Sequence, residues 1–246
     1  MYRLGIDVGG TNTDAVVMDG RKVLSGIKAA TTEDVTSGVI AALEGAIAQA
    51  GVDRSKIATV MIGTTHFTNA VIERKHLNPV AAIRIGLPAT ACLPPMVDWP
   101  DDLRDAVGRH GYMVRGGYEF DGREIAPLDE TELERIAEEI RGGNIRAVSI
   151  TSVFSPINRD MEVRAKAIIE AATGLPVVLS SDIGRIGLLE RESAAIMNAS
   201  LLELSAKTVD AFGKALADAG LTCPFYITQN DGTLMSADYM QRYPVM

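Results

Sequence analysis

Apolar and polar residues alternate over residues 3–8 and again over 13–18, a period of two that predicts paired strands with one buried face. Gly9-Gly10-Thr11-Asn12 lies between them. Asp19-Gly20 follows, a favoured type I′ pair, and predicts a third strand over 21–28. The period then changes to that of a helix, with Val35, Val39, Leu43, Ala46, Ile47 and Ala50 on one face. Thr31-Thr32-Glu33-Asp34 offers that helix a capping hydroxyl and first-turn acids, and Gly51 stops it.

Further on, a strand over 57–62 leads into Gly63-Thr64-Thr65 and a short helix over 67–74. Residues 78–86 read as a buried strand, 87–100 as a long loop and 101–110 as a helix. Residues 112–125 read as a hairpin turning at Asp121-Gly122. Asp129-Glu130-Thr131-Glu132 is a carboxylate variant of the capping box, opening a helix to Arg141 that Gly142-Gly143 ends. A strand over 145–153, a helix from Ser155-Pro156 to Thr173 and a strand over 176–181 make crossover units, which with the opening meander predict one mixed sheet. Residues 190–220 are helical, with Met197, Leu201, Leu204 and Val209 on one stripe and a break expected near Leu204-Ser205. A strand over 225–228 and a turn at Asn230-Asp231-Gly232 follow.

Composition narrows the function classes. The chain has 246 residues, 47% hydrophobic and 23% charged, enough for a substantial core and not the make-up of a disordered protein. A net charge of −8 and the absence of a basic stripe disfavour nucleic acid as a partner. No apolar run approaches the ~20 residues of a membrane span, and residue 2 enters a strand without a signal-like region. Cys92 and Cys223 form no metal or redox spacing, and the reading is a cytoplasmic protein with reduced thiols. His66, His76 and His110 also lack metal spacing.

The candidate chemistry sits in the first turn. Adjacent glycines let a backbone approach phosphate oxygens closely with its N–H groups outward, and Thr11 and Thr13 add hydroxyls. With the turn centred between Gly10 and Thr11, Asp7 faces Asp14 across the ladder, an arrangement of like charges that calls for a cation. A plain meander would also place glycines at its turns; the two flanking acids favour phosphate. At Gly63-Thr64-Thr65 the hydroxyls either face an oxyanion or only cap the following helix.

The opening stretch resembles the first phosphate loop of the actin, Hsp70 and sugar-kinase superfamily, and in detail the hydantoinase A/oxoprolinase family. Further motifs carry the resemblance: Gly63 to Arg74, Glu190-Arg191-Glu192-Ser193-Ala194-Ala195-Ile196-Met197-Asn198-Ala199, and Gln229-Asn230-Asp231-Gly232-Thr233-Leu234-Met235-Ser236. Asn12, Ile62 and Asp231 depart from the family pattern, where an aromatic, a histidine and a glycine are usual. Asn198 stands as a core amide or a site residue.

The resemblance implies an α/β fold: a ribonuclease-H-like lobe with a mixed sheet and flanking helices over 1–187, and the helical start of a second lobe over 188–246. It implies ATP and Mg²⁺ as cofactors, and ATP-dependent phosphorylation of a carbonyl oxygen of a cyclic amide such as a hydantoin or 5-oxoproline, followed by ring opening. Relatives acting on ketones share the first step before carboxylation. Asp7 would be the carboxylate facing Mg²⁺, with Asp14 supporting it or also facing the metal. Gly9, Gly10, Thr11, Asn12 and Thr13 would hold phosphate, and Gly63, Thr64 and Thr65 would face substrate or the transferred group. A hydantoinase B-like companion subunit is implied as well. Only the first of the superfamily's two phosphate loops is found, so the chain reads as an N-terminal fragment that is inactive alone. A small-molecule kinase and a non-catalytic nucleotide-binding module are the competing readings.

Overall fold

The computed structural model describes residues 1–30, 35–229 and 231–246, and the side chains of all of these except 35 and 36. The helix start expected at 31–34, and Asn230 of the expected turn, lie outside them. In chain order the elements are β1 (Tyr2–Val8), β2 (Asn12–Asp19), β3 (Lys22–Ala30), α1 (Val35–Ala50), β4 (Ile57–Thr64), α2 (His66–Glu73), β5 (Val80–Leu87), α3 (Asp101–Val107), β6 (His110–Arg115), α4 (Glu130–Gly142), β7 (Ala147–Ser152), α5 (Asp160–Thr173), β8 (Val177–Leu179), α6 (Ser180–Ile183), α7 (Leu188–Asp218), β9 (Phe225–Thr228), β10 (Leu234–Ser236) and α8 (Ala237–Arg242).

Two compact units divide the chain, one of 1–73 with 204–244 and 246, the other of 74–203 with 245. The first holds a six-stranded mixed sheet in the order β10-β9-β4-β1-β2-β3. β1, β2 and β3 form an antiparallel meander, and β4 and β9 join parallel to β1 and β4. This is a ribonuclease-H-like arrangement. The period of two sorts the faces: Leu4, Ile6, Val8, Ala15, Val17, Val60 and Ile62 are buried. They pack with Val39, Leu43 and Ile47 of α1 and Val209, Phe212 and Leu216 of α7.

The second unit holds an all-parallel sheet, β6-β5-β7-β8. Both faces are covered, which suits the unbroken apolar run Val80 to Ile83 of β5. Ile83 and Ile85 meet Leu133, Ile136 and Ile140 of α4 and Met161 and Ile169 of α5. On the other side Val80 and Ala82 meet Trp99, Leu103, Ala195 and Ile196.

Several expectations need correction. The second hairpin turns on Gly20-Arg21, with Asp19 paired to Lys22 and Gly20 alone at positive φ, so glycine occupies the first central position. Residues 110–115 form a parallel strand beside β5, so the expected hairpin shrinks to a short turn about Asp121-Gly122, held by the Tyr118–Glu124 bridge and by the Glu119 N–H donating to the Arg123 carbonyl at 2.7 Å. α5 begins five residues late, because turns occupy 154–158 and the Asn158 side chain accepts the Asp160 N–H at 3.0 Å. β7 pairs with β5 and β8 with β7, in a sheet of their own, while the far edge of the meander's sheet is built by β9 and β10. Finally, α7 runs unbroken through Leu204-Ser205, where the Ser205 hydroxyl donates to the Met240 carbonyl at 2.9 Å. The α4 cap stands as read, with the Asp129 carboxylate accepting the Glu132 N–H at 3.0 Å.

Candidate functional site

In the six-stranded sheet, residues facing away from the α1 and α7 core form a row across four adjacent strands. Lys28 pairs with Asp14, Asp14 with Asp7, and Asp7 with Gly63. The predicted confrontation of Asp7 and Asp14 is therefore present in the register. The Lys28 ammonium donates to Asp14 Oδ2 at 2.8 Å. The exposed Asp7 carboxylate has no hydrogen-bond or ion-pair partner among the described residues. A Cβ on Gly63 would lie 3.1 Å from Asp7 Oδ1, so the missing side chain at 63 leaves this carboxylate its place. Gly5, Asp7, Asp14, Val16, Met61, Gly63 and Thr228 line a cleft of about 400 Å³ here.

The first turn is centred on Gly10-Thr11, as expected. Its glycines act differently from the expectation. Neither has positive φ. The Gly9 N–H donates to the Asn12 carbonyl at 3.0 Å inside the hairpin, so it is not turned outward. A Cβ at Gly9 would come within 3.0 Å of that carbonyl, whereas one at Gly10 would meet open space. The amides of Gly10 and Thr11 make no hydrogen bond among the described residues, and Gly10, Thr11 and Asn12 are exposed. Thr13 is fully buried beside Ala15 and Val17, on the face opposite the two acids. Strand alternation thus removes its hydroxyl from the row.

At the end of β4 the same alternation separates Gly63 from Thr64. The Thr64 hydroxyl accepts the His66 N–H at 3.3 Å and bonds the His66 Nδ1, a local capping arrangement. The Thr65 carbonyl accepts the Asn69 N–H at 2.8 Å, while its exposed hydroxyl has only a 3.4 Å contact with the Asn69 side-chain amide. Desolvation by burial pushes the His66 pKa below its usual value.

The chemistry of the row suits a hard cation. A free carboxylate offers oxygen to Mg²⁺, which keeps several waters and takes its other ligands from phosphates. Among the described residues no group of three or more His, Cys, Asp or Glu gathers into a metal cage, so an ion here depends on such additional ligands. The exposed amides of Gly10 and Thr11 and the Thr11 hydroxyl supply the matching anion donors.

Lys28 was not legible as a site residue; its signal was a cation on the strand after the second turn. In the other unit, sequence reading also missed a buried polar network. Arg84 and Glu192 are buried and paired, Nε to Oε2 at 2.7 Å. Buried Arg191 donates to Ser180 Oγ at 2.8 Å, and Ser180 Oγ donates to Glu162 at 2.7 Å. An arginine inside the apolar strand Val80–Leu87 was the available clue. Asn198 is a fully buried amide whose Oδ1 accepts the Val245 N–H at 3.3 Å, favouring the core role.

The first unit is thus a ribonuclease-H-like sheet whose first hairpin carries facing acids and exposed turn amides. Residues 3–173 match the family described as the hydantoinase/oxoprolinase N-terminal region, and residues 191–246 match that described as hydantoinase/oxoprolinase. The chain belongs to the hydantoinase/oxoprolinase family. It is 29% identical to an uncharacterized protein of Methanocaldococcus jannaschii over 99% of this chain and 37% of that protein. It is 27% identical to caprolactamase subunit alpha of Pseudomonas jessenii, with the same two coverages. The chain thus spans 37% of the length of each curated relative. Among solved structures, nucleotide-free acetone carboxylase matches with a TM-score of 0.78 at 22% identity, over 99% of this chain and 38% of that one. The ATP-dependent caprolactamase of Pseudomonas jessenii matches with a TM-score of 0.77 at 24% identity, over 96% and 36%. At those identities the likeness is one of fold.

Proposed function

We propose that the chain supplies the first phosphate-binding lobe of an ATP-dependent enzyme that activates the carbonyl oxygen of a cyclic amide for ring-opening hydrolysis. The observation that carries this is the Asp7 carboxylate, unpartnered among the described residues and set between Asp14 and Gly63 on a cleft, one hairpin arm away from the Gly10 and Thr11 amides, which are likewise unbonded among those residues. A relative named caprolactamase and a fold neighbour named acetone carboxylase, both described as ATP-dependent, support carbonyl activation of an amide or a ketone. The designation of one relative as a subunit alpha supports a companion subunit, hydantoinase B-like in this reading. Two free cysteines accord with a reducing cytoplasm. Among the described residues no helix is long and apolar enough to cross a membrane.

ATP would supply the transferable phosphoryl group and Mg²⁺ would neutralise the charge on its oxygens. Asp7 would hold the ion, through water since Mg²⁺ sheds water reluctantly. Gly10, Thr11 and Asn12 present amides and side chains to phosphate oxygens, while Gly9 and Thr13 hold the hairpin that aims them. Asp14, neutralised by Lys28, backs Asp7. Gly63 keeps space beside Asp7, and Thr64 and Thr65, at the end of β4, would face substrate or the transferred group. Little covalent chemistry is asked of the protein, because positioning and charge carry phosphoryl transfer.

The test is phosphate release in the protein together with the polypeptide that completes the site, measured against caprolactam, a hydantoin, 5-oxoproline, and acetone with bicarbonate. Asp7→Asn should lower cyclic-amide-dependent release by about 100-fold or more, the scale of losing one transition-state charge stabiliser. Undiminished turnover in that variant overturns the site. A stable phosphate ester as product would make the protein a kinase instead.

A further inference from the structure

We propose that Lys28 determines what the acidic pair accepts, by keeping Asp7 and Asp14 from loading a bare divalent cation. This rests on Asp7 being the cation-facing acid. Lys28, Asp14, Asp7 and Gly63 stand in register on β3, β2, β1 and β4 and share one sheet face. Directly opposed residues on one face lie about 5 Å apart at their Cβ atoms, so each charge acts on the next. The Lys28 ammonium, at 2.8 Å from Asp14 Oδ2, commits that acid. A cation arriving alone therefore meets one free carboxylate and, two strands further, a fixed positive charge. A cation arriving with phosphate brings its own oxygen ligands, and the same ammonium then faces net negative charge. Without Lys28 the row would present two uncompensated, facing carboxylates, which is a site for a bare cation. As a fold-stabilising contact the pair counts for little, because its side chains are 63% and 42% exposed.

Mn²⁺ alone, titrated into the purified chain and followed by the electron paramagnetic resonance of the free ion, tests this. Removing one positive charge at roughly two strand spacings from a divalent ion should tighten Mn²⁺ binding about tenfold in Lys28→Met at low ionic strength. Lys28→Gln should do the same, and serves should the methionine variant fold poorly. Lys28→Arg should bind like the wild type, and Lys28→Met with Asp7→Asn should lose the gain. Equal affinity in wild type, Lys28→Met and Lys28→Gln, including no detectable binding by any, overturns the assignment. If Asp7→Asn still abolishes cyclic-amide-dependent phosphate release, only the role of Lys28 falls. If Asp7→Asn is without effect in both assays, the site reading falls with it.

Discussion

Gly63→Ala separates the needs of the fold from those of the site. Gly63 does not have positive φ, so alanine fits its backbone, and the lost unfolded-chain freedom should favour the folded state by about 0.4–1 kcal/mol. Against this, the new Cβ would sit 3.1 Å from Asp7 Oδ1, tighter than ordinary contact. The neighbour is the end of an exposed side chain, so it yields by a few tenths of an ångström. Turning a side chain partly off its rotamer costs about 0.5–1.5 kcal/mol. The two effects nearly cancel, and the melting temperature should move by no more than about 3 °C either way. The function should not be so tolerant. A 1 Å misplacement of a reacting group costs on the order of 100-fold, so a shift of a few tenths should lower phosphate release several-fold to tenfold. Gly63→Val, with two more carbons beside the carboxylate, should lose more. Differential scanning calorimetry and a phosphate-release assay read the two effects on the same preparations. Undiminished turnover in Gly63→Val with an unchanged melt would refute the placement of Asp7 at the reacting site. A large melting loss in Gly63→Ala would show that the backbone, and not the carboxylate, gives way.

Two further outcomes follow from the second unit and from the start of α2. Arg84→Met should destabilise by about 3–5 kcal/mol in urea titrations by leaving Glu192 buried without its partner, and adding Glu192→Leu should recover much of that, since a buried pair owes little to its own net strength. Burial depresses the His66 pKa, so the unfolded chain takes up its proton first as the pH falls; the stability His66 contributes is present above about 6.5, the unfolded value, and is lost as pH drops through the lower folded value. Melting curves between pH 7.5 and 5 should therefore slope less in His66→Gln than in the wild type, and an identical slope would remove His66 from that account.

Local chemistry made part of this molecule readable in advance. The Asp7–Asp14 confrontation followed from a period of two and a two-residue turn, because those two features fix a hairpin register. The Asp129 cap and the helix it opens were likewise set by neighbours in sequence. Lys28 escaped for a related reason. A turn on Asp19-Gly20 would set Ser25 opposite Asp14; moving it to Gly20-Arg21, and adding the irregularity between Val17 and Met18, brings Lys28 there instead. The split into two sheets was invisible, because apolar strands such as Val80–Leu87 and Ala147–Ser152 do not state their partners. The burial of Thr13 was legible from alternation alone, once its neighbour Asp14 was placed on the cleft face.

The pairing of β4 with β9 also governs the order in which the chain can fold. Val60 lies beside Phe225 and Ile62 beside Ile227, partners that a ribosome releases long after β4 itself. Until β9 emerges, β4 remains the rim of an incomplete sheet, with unpaired amides and carbonyls that invite association with other chains. The four strands of the parallel sheet, the helices α4 and α5 on one face and the part of α7 on the other lie together between residues 80 and 203, all of them ahead of β9. Pairing across so long a stretch is slow, because loop closure must precede the contacts that reward it. Synthesis thus favours maturation of the inserted parallel sheet first and of the six-stranded sheet last, and a nascent chain halted before Phe225 would carry its acidic hairpin on a sheet still prone to aggregate.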